Sequence, residues 1–191
     1  MTRKKTLWTL AAAVALLALL TTSIIVYFVD QHKTLYHFLA VDPGKLYRGG
    51  TLSDRGLKMV KDRIGLKTII NLRAEDENRQ PWHEREKRFC AANGIELVDI
   101  PLAFETPPTD AQLAQYLKIV TDPAKLPVMI HCEMGVIRTG MMVVLYNVAV
   151  QKQSNQEAFA KLPMFGHTLD DKAPAVKQFM LNCKAPTNKP L

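Results

Sequence analysis

Cysteine is scarce, with three in 191 residues, too few for a disulfide-built scaffold. No low-complexity tract or internal repeat interrupts the chain. Acidic residues are absent from the first 29 positions, although the whole chain holds 18 Asp+Glu against 25 Lys+Arg. Beyond residue 29 no dense Lys/Arg run and no interleaving of basic with aromatic residues occurs, so the net +7 does not describe a nucleic-acid surface. The 48% hydrophobic and 23% charged fractions exclude a disordered chain. The length suits one domain of ordinary size.

The apolar residues are unevenly placed. Leu7–Val29 has no charged residue, and only Thr9, Thr21, Thr22 and Ser23 interrupt it. As a helix it spans roughly 35 Å, against a bilayer core of about 30 Å. Arg3, Lys4 and Lys5 precede it, and Trp8 and the pair Tyr27–Phe28 stand near its ends, where interfacial aromatics belong. A cleaved signal peptide is the competing reading. The basic start fits one, but the apolar stretch outruns a standard signal core, and Ile24–Val29 continues past Thr21 and Ser23. The expectation is an uncleaved single-pass anchor through residues 7–29. The positive-inside rule then puts the N-terminus in the cytoplasm and residues 30–191 on the periplasmic or extracytoplasmic side, an asymmetry that His32 and Lys33 weaken. Without the three basic residues of the leading segment, 22 Lys+Arg face 18 Asp+Glu, so the remainder is only +4.

Residues 30–44 read as a connector ending in the turn signal Asp42–Pro43–Gly44. From 45 to 183 short strands alternate with helices. Strands are expected at Lys45–Arg48, Lys67–Leu72, Ile95–Leu102 and Pro127–His131. Helices are expected at Asp54–Arg63 after a Ser53 cap, Gln80–Ala92 before Asn93–Gly94, and Thr109 to about Val120. Three more are expected at Thr139–Val150, Gln156–Leu162 and Ala173–Asn182. The order predicts an α/β fold, a central, mainly parallel sheet flanked by helices and preceded by the transmembrane helix. Residues 1–6 form a basic N-terminus and 184–191 a loose tail.

In such sheets ligands bind beyond the carboxyl ends of the strands. One segment there carries chemistry: His131-Cys132-Glu133-Met134-Gly135-Val136-Ile137-Arg138-Thr139-Gly140. It lies between a buried strand and a helix N-terminus, where backbone amides face an anion. Gly135 permits a tight turn, and Arg138 offers a planar fork for two phosphate oxygens. Amides, helix dipole and Arg138 together favour a Cys132 thiolate, a nucleophile for phosphoryl transfer. Thr139 is placed to hydrogen-bond that sulfur.

The pattern His-Cys-x5-Arg-Thr-Gly resembles the signature of the cysteine-dependent protein tyrosine phosphatase superfamily. The upstream segments 46–50, 65–73, 94–97 and 100–102 look like its dual-specificity branch, so the resemblance covers roughly residues 38–165. It implies a phosphatase acting on a phosphorylated protein or a small membrane-associated phosphoester. Cys132 would form a phosphocysteine, Arg138 and the amides of Glu133, Met134, Gly135, Val136 and Ile137 would hold the phosphoryl oxygens, and no metal or other cofactor would be required. His131, Gly140 and Arg73 would support the loop.

For the general acid the resemblance points to the loop 103–110. Glu105 stands nearest the expected place, with Asp110 and Asp99 as alternatives. The five loop residues hold no cation and one anion, Glu133, which argues for a substrate with few charges beyond the transferred phosphate. Ile137 offers no polar side chain to position water, so a non-catalytic, membrane-tethered phosphate-binding module stays open as a rival. Arg73 and Arg48 read either as surface or ion-pair residues or as lining the site mouth. His83 and His167 lack partners at metal-ligand spacing and read as structural or exposed. Cys90 and Cys183 both fall in expected helices, so a bridge between them is geometrically open.

Overall fold

In the computed structural model the described residues are 3–169 and 173–184. The start of the basic N-terminus and nearly all of the expected loose tail lie outside them. Two compact units divide the chain, the first ending at Thr34 and the second starting at Leu35.

The first unit is one helix, α1 (Arg3–Thr34), of 32 residues. Within its Leu10–Thr34 portion an 18-residue stretch has a mean hydropathy of 2.4 and no buried residue, so the helix is long and apolar enough to cross a membrane. The helix outruns the expected 7–29 because Asp30, Gln31, His32 and Lys33 form its last polar turn.

The second unit is a five-stranded sheet in the order β1-β2-β5-β3-β4. Its strands are β1 (Leu39–Asp42), β2 (Leu46–Gly49), β3 (Thr68–Asn71), β4 (Glu96–Asp99) and β5 (Val128–His131). All neighbours run parallel except β1 against β2. Strand β1 falls inside the segment expected to be a connector. Four residues give no periodic signal of their own, and the strand exists through its bulged antiparallel pairing with β2. The strand expected over Ile95–Leu102 is shorter for a similar reason: pairing with β3 ends at Asp99, opposite Asn71.

Alternate residues of the strands feed two cores. Ile69 and Met129 face α2 (Asp54–Ile64) and α3 (Pro81–Asn93), where Leu57, Val60 and Cys90 pack. Leu46, Ile70 and Ile130 face the other layer, made of α4 (Asp110–Val120), α5 (Ile137–Ala149), α6 (Asn155–Ala160) and α7 (Pro174–Asn182). Local chemistry sets the helix ends. Ser53 caps α2, and Gly65 and Gly94 end α2 and α3 in left-handed geometry. Thr109 with Gln112 and Ser154 with Glu157 form capping boxes at α4 and α6. Helix α5 carries an unbroken buried run from Ile137 to Tyr146, including the Met141–Met142 pair.

Candidate active site

Strand β5 is the middle strand, and its carboxyl end delivers Cys132 between the ends of β2 and β3. Helix α5 begins at Ile137, two residues earlier than expected, so Arg138 sits in its first turn. Residues 132–136 form the connecting loop.

The loop's carbonyls are drawn outward. Cys132 O accepts from the Thr51 hydroxyl at 3.1 Å and Glu133 O from the Thr51 amide at 2.9 Å. Met134 O lies 2.7 Å from His37 Nδ1, and Arg48 Nη2 donates to Gly135 O and, at 3.4 Å, to Val136 O. Among the described residues the amides of Glu133, Met134 and Val136 donate to no backbone carbonyl. A loop with engaged carbonyls and free amides is an anion receptor. Gly135 makes the winding possible: its φ is +71°, and a Cβ there would lie 2.2 Å from Gly49 O.

Cys132 is 3% exposed, and the Gly135 amide donates to its Sγ at 3.2 Å. Burial disfavours its thiolate, but the Thr139 hydroxyl and amide, the Arg138 charge and the Gly135 amide outweigh it, so the thiol ionises below its ordinary range. The Thr139 hydroxyl is buried and has no aligned hydrogen-bond partner. It lies close enough to the sulfur to favour the thiolate without being aligned to the thiol.

Arg138 is clasped by a residue that sequence reasoning missed. Glu77, in a single 3-10 turn at Glu77–Arg79, receives Arg138 Nη1 on Oε2 and Arg138 Nη2 on Oε1, the latter at 3.3 Å. The same carboxylate takes Arg73 Nε at 3.2 Å and the Ala74 amide at 2.8 Å. Burial pushes its pKa up, but Arg138 and the Ala74 amide bring it below the ordinary carboxylate range. Arg73 is therefore a nearly buried ion-pair residue. Its guanidinium stacks 4.3 Å over Trp82 and donates to Thr51 Oγ1 at 3.3 Å.

His131 is fully buried under the loop. Its Nδ1 lies 3.3 Å from Cys132 O and its Nε2 3.1 Å from the Glu86 carboxylate, a partner from α3 that the sequence did not announce. Burial opposes its protonation, yet Glu86 raises its pKa on balance. Gly140 lies where a Cβ would meet Leu162 at 3.0 Å, so its role is close packing of α5.

The cleft over Cys132 holds about 90 Å3 and is lined by Phe104, Met134, Val136, Ile137, Arg138 and His167, among others. None of the three candidate acids lines it. Asp99 is committed to Asn71 at 2.8 Å and His83 at 3.0 Å, which makes His83 structural. Asp110 opens α4, where a carboxylate complements the dipole. Glu105 is exposed and has no partner among the described residues, next to Phe104 on the cleft wall. His167, read from sequence as structural or exposed, is on that wall too. Arg48 is neither on the surface nor at the mouth: it is 1% exposed behind the loop, and burial pulls its pKa down to about 10. All three cysteines are free. Cys90 and Cys183 pack in different cores on opposite faces of the sheet, so no bridge joins them. Burial pushes Cys90 up to about 12 and Cys183 upward as well, so of the three thiols only that of Cys132 is shifted towards ionisation.

Residues 38–183 match a family model described as a dual-specificity protein tyrosine phosphatase fused to NAD+ kinase. The chain belongs to that family. Among its relatives is the probable chloroplastic NAD kinase 2 of Oryza sativa subsp. japonica, 34% identical over 97 residues, covering 51% of this chain and 10% of that protein. The inositol diphosphatase DSP1 of the same plant is 33% identical over 112 residues, covering 56% of this chain and 47% of that protein. The core catalytic domain of the diphosphoinositol polyphosphate phosphatase SIW14 of S. cerevisiae, solved with citrate, superposes with a TM-score of 0.63 at 25% identity, covering 75% of this chain and 82% of that one. The chain spans about half or less of the length of these curated relatives. Residues 38–183 thus form a cysteine-dependent phosphatase domain of the dual-specificity type.

Proposed function

We propose that this phosphatase hydrolyses phosphomonoesters through a phosphocysteine intermediate. The observation that carries the reading is the buried Cys132 sulfur, which accepts from the Gly135 amide inside a loop whose carbonyls all face away, with Thr139 and Arg138 favouring its ionisation. The thiolate attacks phosphorus, the phosphorus–oxygen bond to the leaving group breaks, and the departing oxygen takes a proton from Glu105. Water then displaces the Cys132 sulfur and releases inorganic phosphate. Arg138 and the amides of residues 133–138 hold the equatorial oxygens through both steps. Glu105 is assigned as the acid because Asp99 is committed to Asn71 and His83, Asp110 sits in the first turn of α4, and Glu105 adjoins Phe104 on the cleft wall.

The substrate is a phosphoprotein or another phosphoester of low charge. Among the described residues Arg138 is the one Lys or Arg lining the cleft, Glu133 adds an anion, and Phe104, Met134, Val136 and Ile137 make the rest of the wall apolar. A second reading, an inositol diphosphate, draws on the relatives of that activity; it asks more cations of the cleft than its lining supplies. Helix α1 is proposed to anchor the chain in a membrane with the basic end cytoplasmic, bringing membrane-associated substrates within reach. The test is hydrolysis by the full chain in detergent micelles. Cys132→Ser loses turnover of an aryl phosphate while still binding phosphate, and wild-type turnover by that variant overturns the mechanism. Wild type that binds oxyanions without turning over, when fresh and reduced, favours a binding module. Faster turnover of an inositol diphosphate than of phosphopeptides overturns the low-charge assignment.

A further inference from the structure

Behind the phosphate loop, between strands β1 and β2 and helix α5, lies a second cavity of about 250 Å3. It is larger than the cleft over Cys132 but smaller than the roughly 300–1,000 Å3 of drug-sized pockets. Arg48, Asn147, Gln153 and Lys161 line it together with apolar Val143 and Leu162. Among the described residues no carboxylate does.

Four of its polar atoms have no partner among the described residues. Arg48 is 1% exposed, and its Nε and Nη1 have no hydrogen-bond partner, since only Nη2 engages the loop carbonyls. Asn147 Oδ1 and Gln153 Oε1 are buried without partners as well. Buried polar atoms are rarely left so, and an unpaired buried charge is the costliest case. Phe165 covers the guanidinium from one side at 5.5 Å. The lining as a whole is complementary to one kind of molecule. Two cations, Arg48 and Lys161, call for an anionic group, and two amide oxygens call for hydroxyl donors.

We propose that this cavity is a second binding site, separate from the catalytic cleft, for a small polyhydroxylated anion. The anion takes Arg48 Nε and Nη1, and the hydroxyls donate to Asn147 and Gln153. Because Arg48 also holds Gly135 O and Val136 O, the ligand rests one residue away from the phosphate loop without entering it.

The probe is D-gluconate, titrated calorimetrically into the full chain in detergent, with sorbitol and acetate as controls that lack the charge or the hydroxyls. The expected result is one gluconate per chain, bound at least tenfold more tightly than either control. Affinity should be the same after Cys132 has been alkylated to block the cleft. Asn147→Asp places a negative charge beside the anion and should weaken binding at least tenfold with aryl phosphatase activity retained. Lys161→Glu tests the same point from an exposed position where folding is not at stake. No gluconate binding, loss of binding on alkylation, equal affinity for a control, or unchanged affinity in both variants overturns the proposal.

Discussion

Replacing Glu77 with Gln tests how the phosphate-binding arginine is held. The change keeps the shape and an acceptor for the Ala74 amide, but it removes the carboxylate that, alone among the described residues, is bonded to Arg138, and it turns an amide donor towards two guanidinium groups. The side chains of Arg138, Arg73 and Glu77 are 7%, 11% and 23% exposed. Breaking a fully buried pair costs about 3–5 kcal/mol; with the carboxylate partly solvated, about 2–3 kcal/mol is expected here. At about 2–4 °C per kcal/mol for a chain of this size, Tm should fall by roughly 4–12 °C. Arg138 stays charged but loses its fixed orientation. Deleting an oxyanion donor outright costs on the order of 10²–10³ in rate, so misorienting one should cost on the order of 30-fold in kcat/KM. The stability gap has a sign in pH. Glu77 is depressed in the folded state, so its contribution is full above the unfolded carboxyl value of about 4.3 and vanishes as pH falls through the folded value. The Tm difference between variant and wild type should therefore close in acid. Thermal melts against pH and steady-state hydrolysis of an aryl phosphate check both parts. Wild-type Tm and kcat/KM in the variant would refute the clasp, and a gain in turnover would show that Glu77 blocks Arg138 instead of orienting it.

Other perturbations follow from the same geometry. Glu105→Gln should lower kcat by about 10²–10⁴-fold on an alkyl phosphate, whose leaving group needs a proton, and much less on an aryl phosphate; if His167→Asn shows that pattern instead, the acid is His167. Thr139→Ala should move the pH midpoint of Cys132 alkylation up towards the ordinary thiol value of about 8.5, and an unmoved midpoint would remove Thr139 from thiolate stabilisation. Gly135→Ala forces a Cβ against Gly49 O on top of a left-handed penalty of about 1–2 kcal/mol. Denaturant melts and phosphate titrations should show loss of both stability and binding, and wild-type values for the two would contradict the packing.

The strand–helix alternation and the nucleophile segment were legible because each rests on local chemistry. Ser53, Thr109, Gly65 and Gly94 announce helix ends within a few residues of themselves, and Cys132, Arg138 and Thr139 lie within eight positions of one another. What was not legible comes from distance. Strand β1 is defined by its partner. Glu77 looks like one more acid in the Glu75-Asp76-Glu77 run until the sheet brings it to Arg138. Glu86 is an ordinary helical glutamate until α3 covers His131. Arg48 shows the limit from the other side: its position beside Gly49–Gly50 was visible, but its burial depends on α5 and the segment around Phe165, more than 85 residues downstream.

The sheet order has a consequence for assembly. Strand β2 touches β1 and β5 only, and β3 touches β4 and β5 only. Until residues 128–131 arrive, the sheet is two separate two-stranded ribbons, and such ribbons are marginal alone. The strand that joins them is also the strand that carries the nucleophile. A chain still emerging from the ribosome thus has neither a closed sheet nor a phosphate loop, and it gains both in one late step. Mutations that slow this insertion will lower the yield of active enzyme without changing the activity of the molecules that finish.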